Sequence, residues 1–315
     1  MTQSRALILL TIVVSARAAA FLFSKTALIE VSPFFLLALR FLGAFAILAI
    51  VFARNIRALS RAGLAQGSIL GAILAILMGA EMHALPLTST SSVAFIENSA
   101  VVFVPLASWL VFHERLGKGA LASSIVALAG IALLTVGESG FAHIGLGELF
   151  ALAAAALYTV LIIATGRFAR RHDPLGIGAV QMGAAGAVCL LISLATESPT
   201  IPQTATSWTC IAVLIVVCSV FGFAFQPVAQ RHLNDAQTSM VCALNPAIAM
   251  ALGVAVLHEP LSPTDGAGAL LILASLAIGV ADAARQTKVS DPQKEPIATK
   301  TAPSPYDEGA EAYEL

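Results

Sequence analysis

The chain has 315 residues, of which 58% are hydrophobic and only 11% are charged. Soluble globular domains carry about 25% charged residues, so this composition is typical of a membrane protein. The formal net charge of −1 leaves no basic surface for nucleic acid. We therefore expect the lipid bilayer as a partner and exclude nucleic acid.

Ten apolar segments follow one another along the chain, each with about the 20 residues that a helix needs to cross a bilayer. The predicted spans are residues 6–26, 33–53, 66–86, 90–112, 118–137, 146–166, 174–195, 208–228, 237–257 and 264–282. The first span resembles a secretory signal peptide, but apolar sequence resumes beyond it, so we expect it to be retained. Residues 285–315 are polar and charged and are predicted to form a disordered cytoplasmic tail.

A sequence repeat divides the chain into two units. The run 111–116, which contains His113-Glu114, recurs as 256–261, and each copy ends one span just before the next. The repeat predicts two five-helix units, residues 1–140 and 141–284. Internal repeats in a protein with many spans are typical of transporters whose site lies between the two units.

Positive charge predicts the orientation of the spans. Lys and Arg follow spans 2, 4, 6 and 8, whereas the connections after spans 3, 5, 7 and 9 contain none. The positive-inside rule therefore places both termini in the cytoplasm. We expect the protein itself to lie in the plasma membrane or the bacterial inner membrane. Because each unit has an odd number of spans, the second unit must run through the membrane in the opposite direction.

Several short motifs recur at characteristic places in the spans. They include Ser32-Pro33 with Arg40 seven residues after the proline, and Leu244-Asn245-Pro246 in the ninth span. Together these motifs resemble a known family, the EamA group of the drug/metabolite transporter superfamily. The resemblance covers residues 6–282 and implies an all-α fold of ten transmembrane helices in two inverted repeats. Two positions depart from the family pattern: Arg17-Ala18 stands where a Trp-Gly pair is common, and Asn245 stands where Glu is common. Since both lie near mid-membrane, they bear on the choice of substrate.

Four ionisable residues lie within predicted spans, where each costs about 2.5–3.5 kcal/mol near the bilayer centre. They must pair or face a wet cavity. We predict that Arg17 binds a substrate carboxylate, the alternative being a structural ion pair, and that Arg40 forms a structural or gating pair. Glu97 is the preferred proton-coupling residue. Glu81 with nearby His83 forms a second proton-carrying candidate, or else an interfacial pair near the outer headgroups.

Neutral polar side chains within the spans are predicted to hydrogen-bond a polar substrate. The alternative for each is an interhelical hydrogen bond worth about 0.6 kcal/mol. These residues are Asn98, Tyr158, Gln181, Gln226 and Asn245. Glu114 and Glu259 stand where one helix ends and the next begins, so we expect them to cap helix ends. Neither continues as a His-Glu-x-x-His zinc motif.

These patterns predict a secondary transporter that exports small polar metabolites, such as amino acids or related compounds, by alternating access. Because no phosphate-binding loop is present, the proton or substrate gradient is the expected energy source, and no cofactor or metal is expected. Uptake is an alternative direction. An intramembrane enzyme would need a nucleophile–base or metal constellation, which the sequence lacks. A receptor or a structural membrane component without transport activity is a further alternative, and the sequence does not decide between a monomer and a homodimer.

Overall fold

The computed structural model describes residues 1–84, 87, 93, 96–113, 117–136, 145–245, 247, 248, 251, 252 and 263–289. All regular structure in these ranges is helical, which confirms the predicted all-α class. The physical reason is that a bilayer core supplies no water to hydrogen-bond backbone groups, so each apolar segment satisfies its own backbone as a helix.

Five helical units precede residue 137. The first is α1 (Gln3–Ala18) followed, after a single-residue interruption at Ala19, by α2 (Ala20–Ala27). Next come α3 (Pro33–Val51), the short α4 (Ala53–Arg57) and α5 (Arg61–Ala84). The last two are α6 (Ala100–Phe112) and α7 (Lys118–Val136).

Five further units follow residue 144. They begin with α8 (Leu146–Arg171) and α9 (Pro174–Thr196). The third consists of α10 (Ala205–Val213), a π-helical segment (Leu214–Phe221) and α11 (Gln226–Gln230). The last two contain α12 (Asp235–Cys242) and α13 (Pro263–Val289).

The helix starts follow the prolines, as the sequence predicts. Pro33, Pro174 and Pro263 each occupy the first position of a helix, where a missing N–H removes no intrahelical bond. The final helix ends at Val289, several residues beyond the predicted end of the last span. The rest of the predicted tail lies outside the described residues.

Helix lengths test the predicted number of spans only in part. Within the described ranges, five helices are long and apolar enough to cross a membrane: α3, α5, α8, α9 and the unit that runs from Ala205 to Gln230. Shorter apolar helices occupy three further predicted spans, at Ile96–Phe112, Lys118–Leu133 and Gly266–Gly279. Helical residues are present in all ten predicted spans.

The two halves pack in an exchanged pattern. Equivalent units contact each other directly: α3 packs on α9, α6 on α12, and α7 on α13. Other contacts occur in pairs in which the two halves exchange roles. The third unit packs on the seventh through α5 and α9, and the eighth packs on the second through the π-helical segment and α3. In the same way α6 packs on α8 and α12 packs on α1. Two copies of one unit related by a two-fold axis produce this pattern.

Glycines allow the close approach of α5 and α9 at the centre of this interface. A β-carbon at Gly67 would lie 2.9 Å from Cβ of Val180, and one at Gly71 would lie 2.5 Å from the carbonyl oxygen of Gln181. The sequence predicts such a ridge from small residues at every fourth position of the third span. The ridge therefore brings a helix of the first half against a helix of the second.

Candidate functional site

A cavity of about 310 Å³ lies between the two halves. Most of its walls come from α1, α2, α3 and α5, while Phe223 and Asn245 contribute from the second half. Four of its lining residues are ionisable: Arg17, Arg40, Glu81 and Glu97. The other lining residues are Ala20, Ser24, Leu28, Pro33, Leu36, Leu37, Met78 and Met82. The cavity thus combines charged groups with an apolar wall.

Arg17 is held by three side chains of the second half. Its Nη1 donates a hydrogen bond to Oε1 of Gln226 at 2.9 Å and a longer one to the Tyr158 hydroxyl at 3.4 Å. The guanidinium carbon lies 4.1 Å from the centre of the Phe223 ring, within range of a cation–π interaction. Both of these hydrogen bonds use Nη1, one of the two terminal nitrogens of the guanidinium.

Arg40 is also held at one edge. The side chain is 5% exposed, and its Nε donates to Oγ of Ser219 at 2.7 Å. Its guanidinium carbon lies 5.6 Å from the centre of the Phe223 ring. Phe223 therefore contacts both cations, and Arg40, which the sequence predicts to be structural, lines the cavity beside Arg17.

The break in the eighth unit positions Ser219 and Phe223. Gly222 and Ala224 donate to carbonyls five residues earlier, on Val217 and Ser219, so the chain is wound more loosely there than in an α-helix. Residues 222–225 are then non-helical before α11 begins at Gln226. Such interruptions within a membrane are tolerated where the backbone lines a cavity or is covered by protein. Here the break places Ser219, Phe223 and Gln226 against the two arginines.

Two carboxyl groups, those of Glu81 and Glu97, line the cavity. Glu81, near the end of α5, is 5% exposed, and Glu97 lies in the helical residues just before α6. Among the described residues, neither forms an ion pair with Arg17 or Arg40. An ionised group at this depth needs a charged partner or water. The cavity can supply water or a charged ligand to the two carboxyl groups and the two arginines that line it.

Asn245 is the neutral residue that best fits a ligand-binding role. It lines the cavity, and its buried Oδ1 has no hydrogen-bond partner in the described part of the chain. Since a buried acceptor without a partner is costly, Oδ1 is suited to accept a hydrogen bond from a bound molecule. The predicted interruption at Pro246 lies outside the described residues.

The other predicted site residues that the structure describes are not among those that line the cavity. Tyr158 and Gln226 contact Arg17 instead. Gln181 is buried on α9 where α5 crosses, and Asn98 is buried at the start of the fourth span. His83 pairs through Nδ1 with the carbonyl of Gly79 at 2.8 Å and packs between the rings of Phe34 and Phe150. Glu114 and Glu259 lie outside the described residues.

Sequence reasoning did not find Phe223 or Ser219. An aromatic residue or a serine in an apolar span is ordinary, and nothing in the local pattern marks either one. The one available signal is Gly222, whose missing side chain lets the backbone lie against the side chain of Arg17. Both residues gain their significance from helix packing.

Comparison with known proteins identifies the family. The model of the EamA-like transporter family matches residues 4–136 and again residues 145–280, once for each half. The chain therefore belongs to the EamA-like transporter family, and the family model matches it as two repeats. This confirms the resemblance derived from the motifs.

Two individual matches agree with this assignment. An uncharacterized transporter from Archaeoglobus fulgidus is 24% identical over 194 residues, which cover 62% of this chain and 61% of that relative. The match thus spans about three fifths of the relative's length. A solved crystal structure aligns with a TM-score of 0.79 at 21% identity, over 90% of this chain and 99% of that chain. The structural match supports the fold.

Proposed function

We propose that this protein is a secondary active transporter that exports amino acids or closely related metabolites. The observation that carries the proposal is the cavity between the two repeats, which holds Arg17, Arg40, Glu81 and Glu97 beside an apolar wall. A guanidinium matches a substrate carboxylate, a carboxylate matches an ammonium group, and the apolar wall matches a side chain.

Within this proposal Arg17 binds the substrate carboxylate. Gln226, Tyr158 and Phe223 hold its position at the wall of the cavity. Arg40 contributes a second positive charge from the opposite edge of the Phe223 ring. Asn245 supplies a neutral acceptor through its unpartnered Oδ1. Tyr158 and Gln226 then act on the substrate through Arg17, whereas Gln181 and Asn98 are better placed to join helices.

Proton coupling is assigned to Glu97 and Glu81. Both line the cavity, so a proton on either one changes the charge that a substrate meets there. If a carboxyl group releases its proton when the ammonium group of the substrate binds, the movement of protons is coupled to the movement of substrate. His83 does not line the cavity, and its contacts with Gly79, Phe34 and Phe150 are those of a packed side chain.

The transport cycle follows from ten spans arranged as inverted five-helix repeats with both termini in the cytoplasm. The positive-inside pattern and the odd number of units per half support this arrangement. The exchanged packing of the two halves supports a two-fold axis between them. Rocking of the halves about the cavity exposes it to each side of the membrane in turn.

The test is transport by the full chain in proteoliposomes, with a panel of labelled amino acids and with or without an imposed pH gradient. We expect Arg17→Gln to abolish saturable transport, because the substrate carboxylate loses its charged donor. Arg17→Lys, which keeps a point charge without the donor fork, should retain weak transport. Arg5→Gln is the matched control, since Arg5 lies on the same helix but is exposed.

Three outcomes contradict parts of the proposal. Equal transport by Arg17→Gln and wild type rules out the assigned role of Arg17. Full pH-driven transport by Glu97→Gln rules out Glu97 as the proton carrier. Binding of amino acids without flux across the membrane would favour a receptor over a transporter.

A further inference from the structure

A buried carboxylate away from the cavity joins the two halves of the protein. Asp235, the first residue of α12, is 2% exposed and is not among the residues that line the cavity. We define the Asp235 cluster as Asp235, the three residues that contact it, and Phe112 on α6, which contacts Arg167. The three contacting residues are Ser108 on α6 and Arg167 and Arg170 on α8. The cluster spans both repeats, because α6 belongs to the first and α8 and α12 to the second.

We propose that the Asp235 cluster holds the cytoplasmic side of the transporter closed while the cavity faces the other side. This inference rests on the proposed alternating-access function. It assigns to Asp235, a residue that does not contact the substrate, control over which face of the membrane the site opens to.

Among the described residues of the cluster, a hydrogen bond and a cation–π interaction join the two halves. The Ser108 hydroxyl donates to Oδ2 of Asp235 at 2.8 Å. The guanidinium carbon of Arg167 lies 3.3 Å from the centre of the Phe112 ring. Both contacts depend on Asp235, since it accepts the first and attracts the arginine that makes the second.

Two arginines of α8 surround the carboxylate. Nη2 of Arg167 lies 3.7 Å from Oδ2, and Nη2 of Arg170 lies 3.7 Å from Oδ1. Nη1 of Arg170 also donates to the carbonyl of Leu233 at 3.0 Å, so it holds the connection that enters α12. A β-carbon at Gly166 would lie 3.3 Å from Oδ1, so the glycine leaves room for the carboxylate beside α8.

The position along α6 separates the cluster from the cavity. Glu97 lines the cavity, and Ser108 lies eleven residues later, about 16 Å along a helix axis. The predicted orientation places this end of the fourth span, the end of the sixth and the start of the ninth at the cytoplasmic face. The cavity-lining residues of α1, α3 and α5 lie toward the opposite, outer ends of those helices. The cavity and the cluster thus occupy different depths of the membrane.

The geometry suits a contact that breaks and forms again. The two ion pairs at 3.7 Å are longer than the 2.7–2.9 Å typical of charge-assisted hydrogen bonds. The side chains of Arg167 and Arg170 are 28% and 37% exposed, so water can replace their partner at low cost. The carboxylate is buried and needs its partners, so the closed arrangement is favoured while the cluster is complete.

The test measures access to both sides of the full-length protein in oriented proteoliposomes. The inner reporter is Ala229→Cys, on α11 about one turn from Gln226, so reagent reaches it only if an opening extends toward the site. The outer reporter is Ser24→Cys, in the cavity wall. A membrane-impermeant thiol reagent is added to one side at a time. Because the four native cysteines are buried, the protein without a reporter gives the background.

We expect Asp235→Asn to raise inner labelling of Ala229→Cys about tenfold or more, because removing one partner of a buried charge cluster shifts the equilibrium strongly. Outer labelling of Ser24→Cys should fall in the same variant, which a merely loosened structure would not produce. Asp173→Asn is the matched control: it removes a carboxylate at another helix start on the same side while an amide oxygen can still accept from Gly176 and Asn55. It should leave both rates unchanged.

Arg170→Gln provides a second variant that leaves the buried residues in place. Like Asp235→Asn, it should raise the inner labelling rate and lower the outer labelling rate, but by a smaller factor. The proposal is overturned if both variants fold at wild-type yield and neither changes the two labelling rates, or if inner labelling rises without a fall in outer labelling. The labelling results do not require a known substrate. An inactive wild-type protein would therefore contradict the proposed function while still allowing the cluster to be tested.

Discussion

The close contact of α5 and α9 at Gly71 leads to a quantitative prediction. A β-carbon at this position would lie 2.5 Å from the carbonyl oxygen of Gln181, 2.6 Å from Cβ of Ala184 and 2.8 Å from the backbone nitrogen of Ala185. Two of these three neighbours are backbone atoms, which cannot rotate away. Gly71→Ala must therefore push the two helices apart.

The expected change in the free energy of unfolding is the sum of two contributions of opposite sign. Overpacking a well-packed interface costs about 1–3 kcal/mol, and the upper part of that range applies when backbone atoms are displaced. Replacing glycine by alanine within a helix gains about 1 kcal/mol from helix propensity alone. Gly266→Ala isolates the second term, because no atom lies within 4 Å of a β-carbon there. The propensity gain is common to both variants, so their stabilities should differ by the overpacking cost alone, about 2–3 kcal/mol.

The assay is thermal unfolding of the purified protein in one detergent, with Gly63→Ala as a third member of the series. The neighbours of a β-carbon at Gly63 are the side chains of Leu59 and His172, which can move, so this variant should fall between the other two. Equal unfolding temperatures for Gly71→Ala and Gly266→Ala would refute the close approach of α5 and α9.

Two further predictions concern Phe223 and Glu30. Phe223→Leu removes the ring that both arginines contact, so it should raise the KM for the proposed amino acid substrate about 2- to 30-fold. Phe223→Tyr keeps a ring, and its KM should stay near that of the wild type. Equal KM values in transport assays of all three proteins would exclude a cation–π role. The Thr204 hydroxyl and the Gln203 backbone N–H donate to the Glu30 carboxylate and lower its pKa to about 2. Because this pKa lies below the ordinary value of 4.5, the stabilisation is complete above pH 4.5 and is lost as the pH falls toward 2. The difference in unfolding temperature between wild type and Glu30→Gln should therefore narrow as the pH is lowered from about 6 to about 3, and a constant difference would contradict this cause.

Much of the fold could be predicted from local properties of the chain. Hydropathy located the helices, and Pro33, Pro174 and Pro263 marked three helix starts correctly. The repeated run around His113 and His258 indicated two units, and the family model matches the chain twice. These features depend on residues close together in sequence, so a single chain is enough to recognise them.

The candidate site was predictable only as a set of separate residues. Ionisable groups within apolar spans identified Arg17, Arg40, Glu81 and Glu97, since burying each one is costly wherever it lies. That these four share one cavity depends on how each helix is rotated and which helix lies beside it. The same packing placed His83 between two aromatic rings, outside the cavity lining.

The sequence by itself thus determined the all-helical class, the two repeats and the polar residues that require an explanation. Only the tertiary structure decided that Gln226 and Tyr158 hold Arg17, that Phe223 contacts both arginines, and that Asp235 joins the two halves. The physical reason lies in the solvent. In a membrane, residues that face lipid and residues that face protein are equally apolar, so hydropathy does not distinguish the faces of a helix. Contacts between helices then select the partners of each polar group.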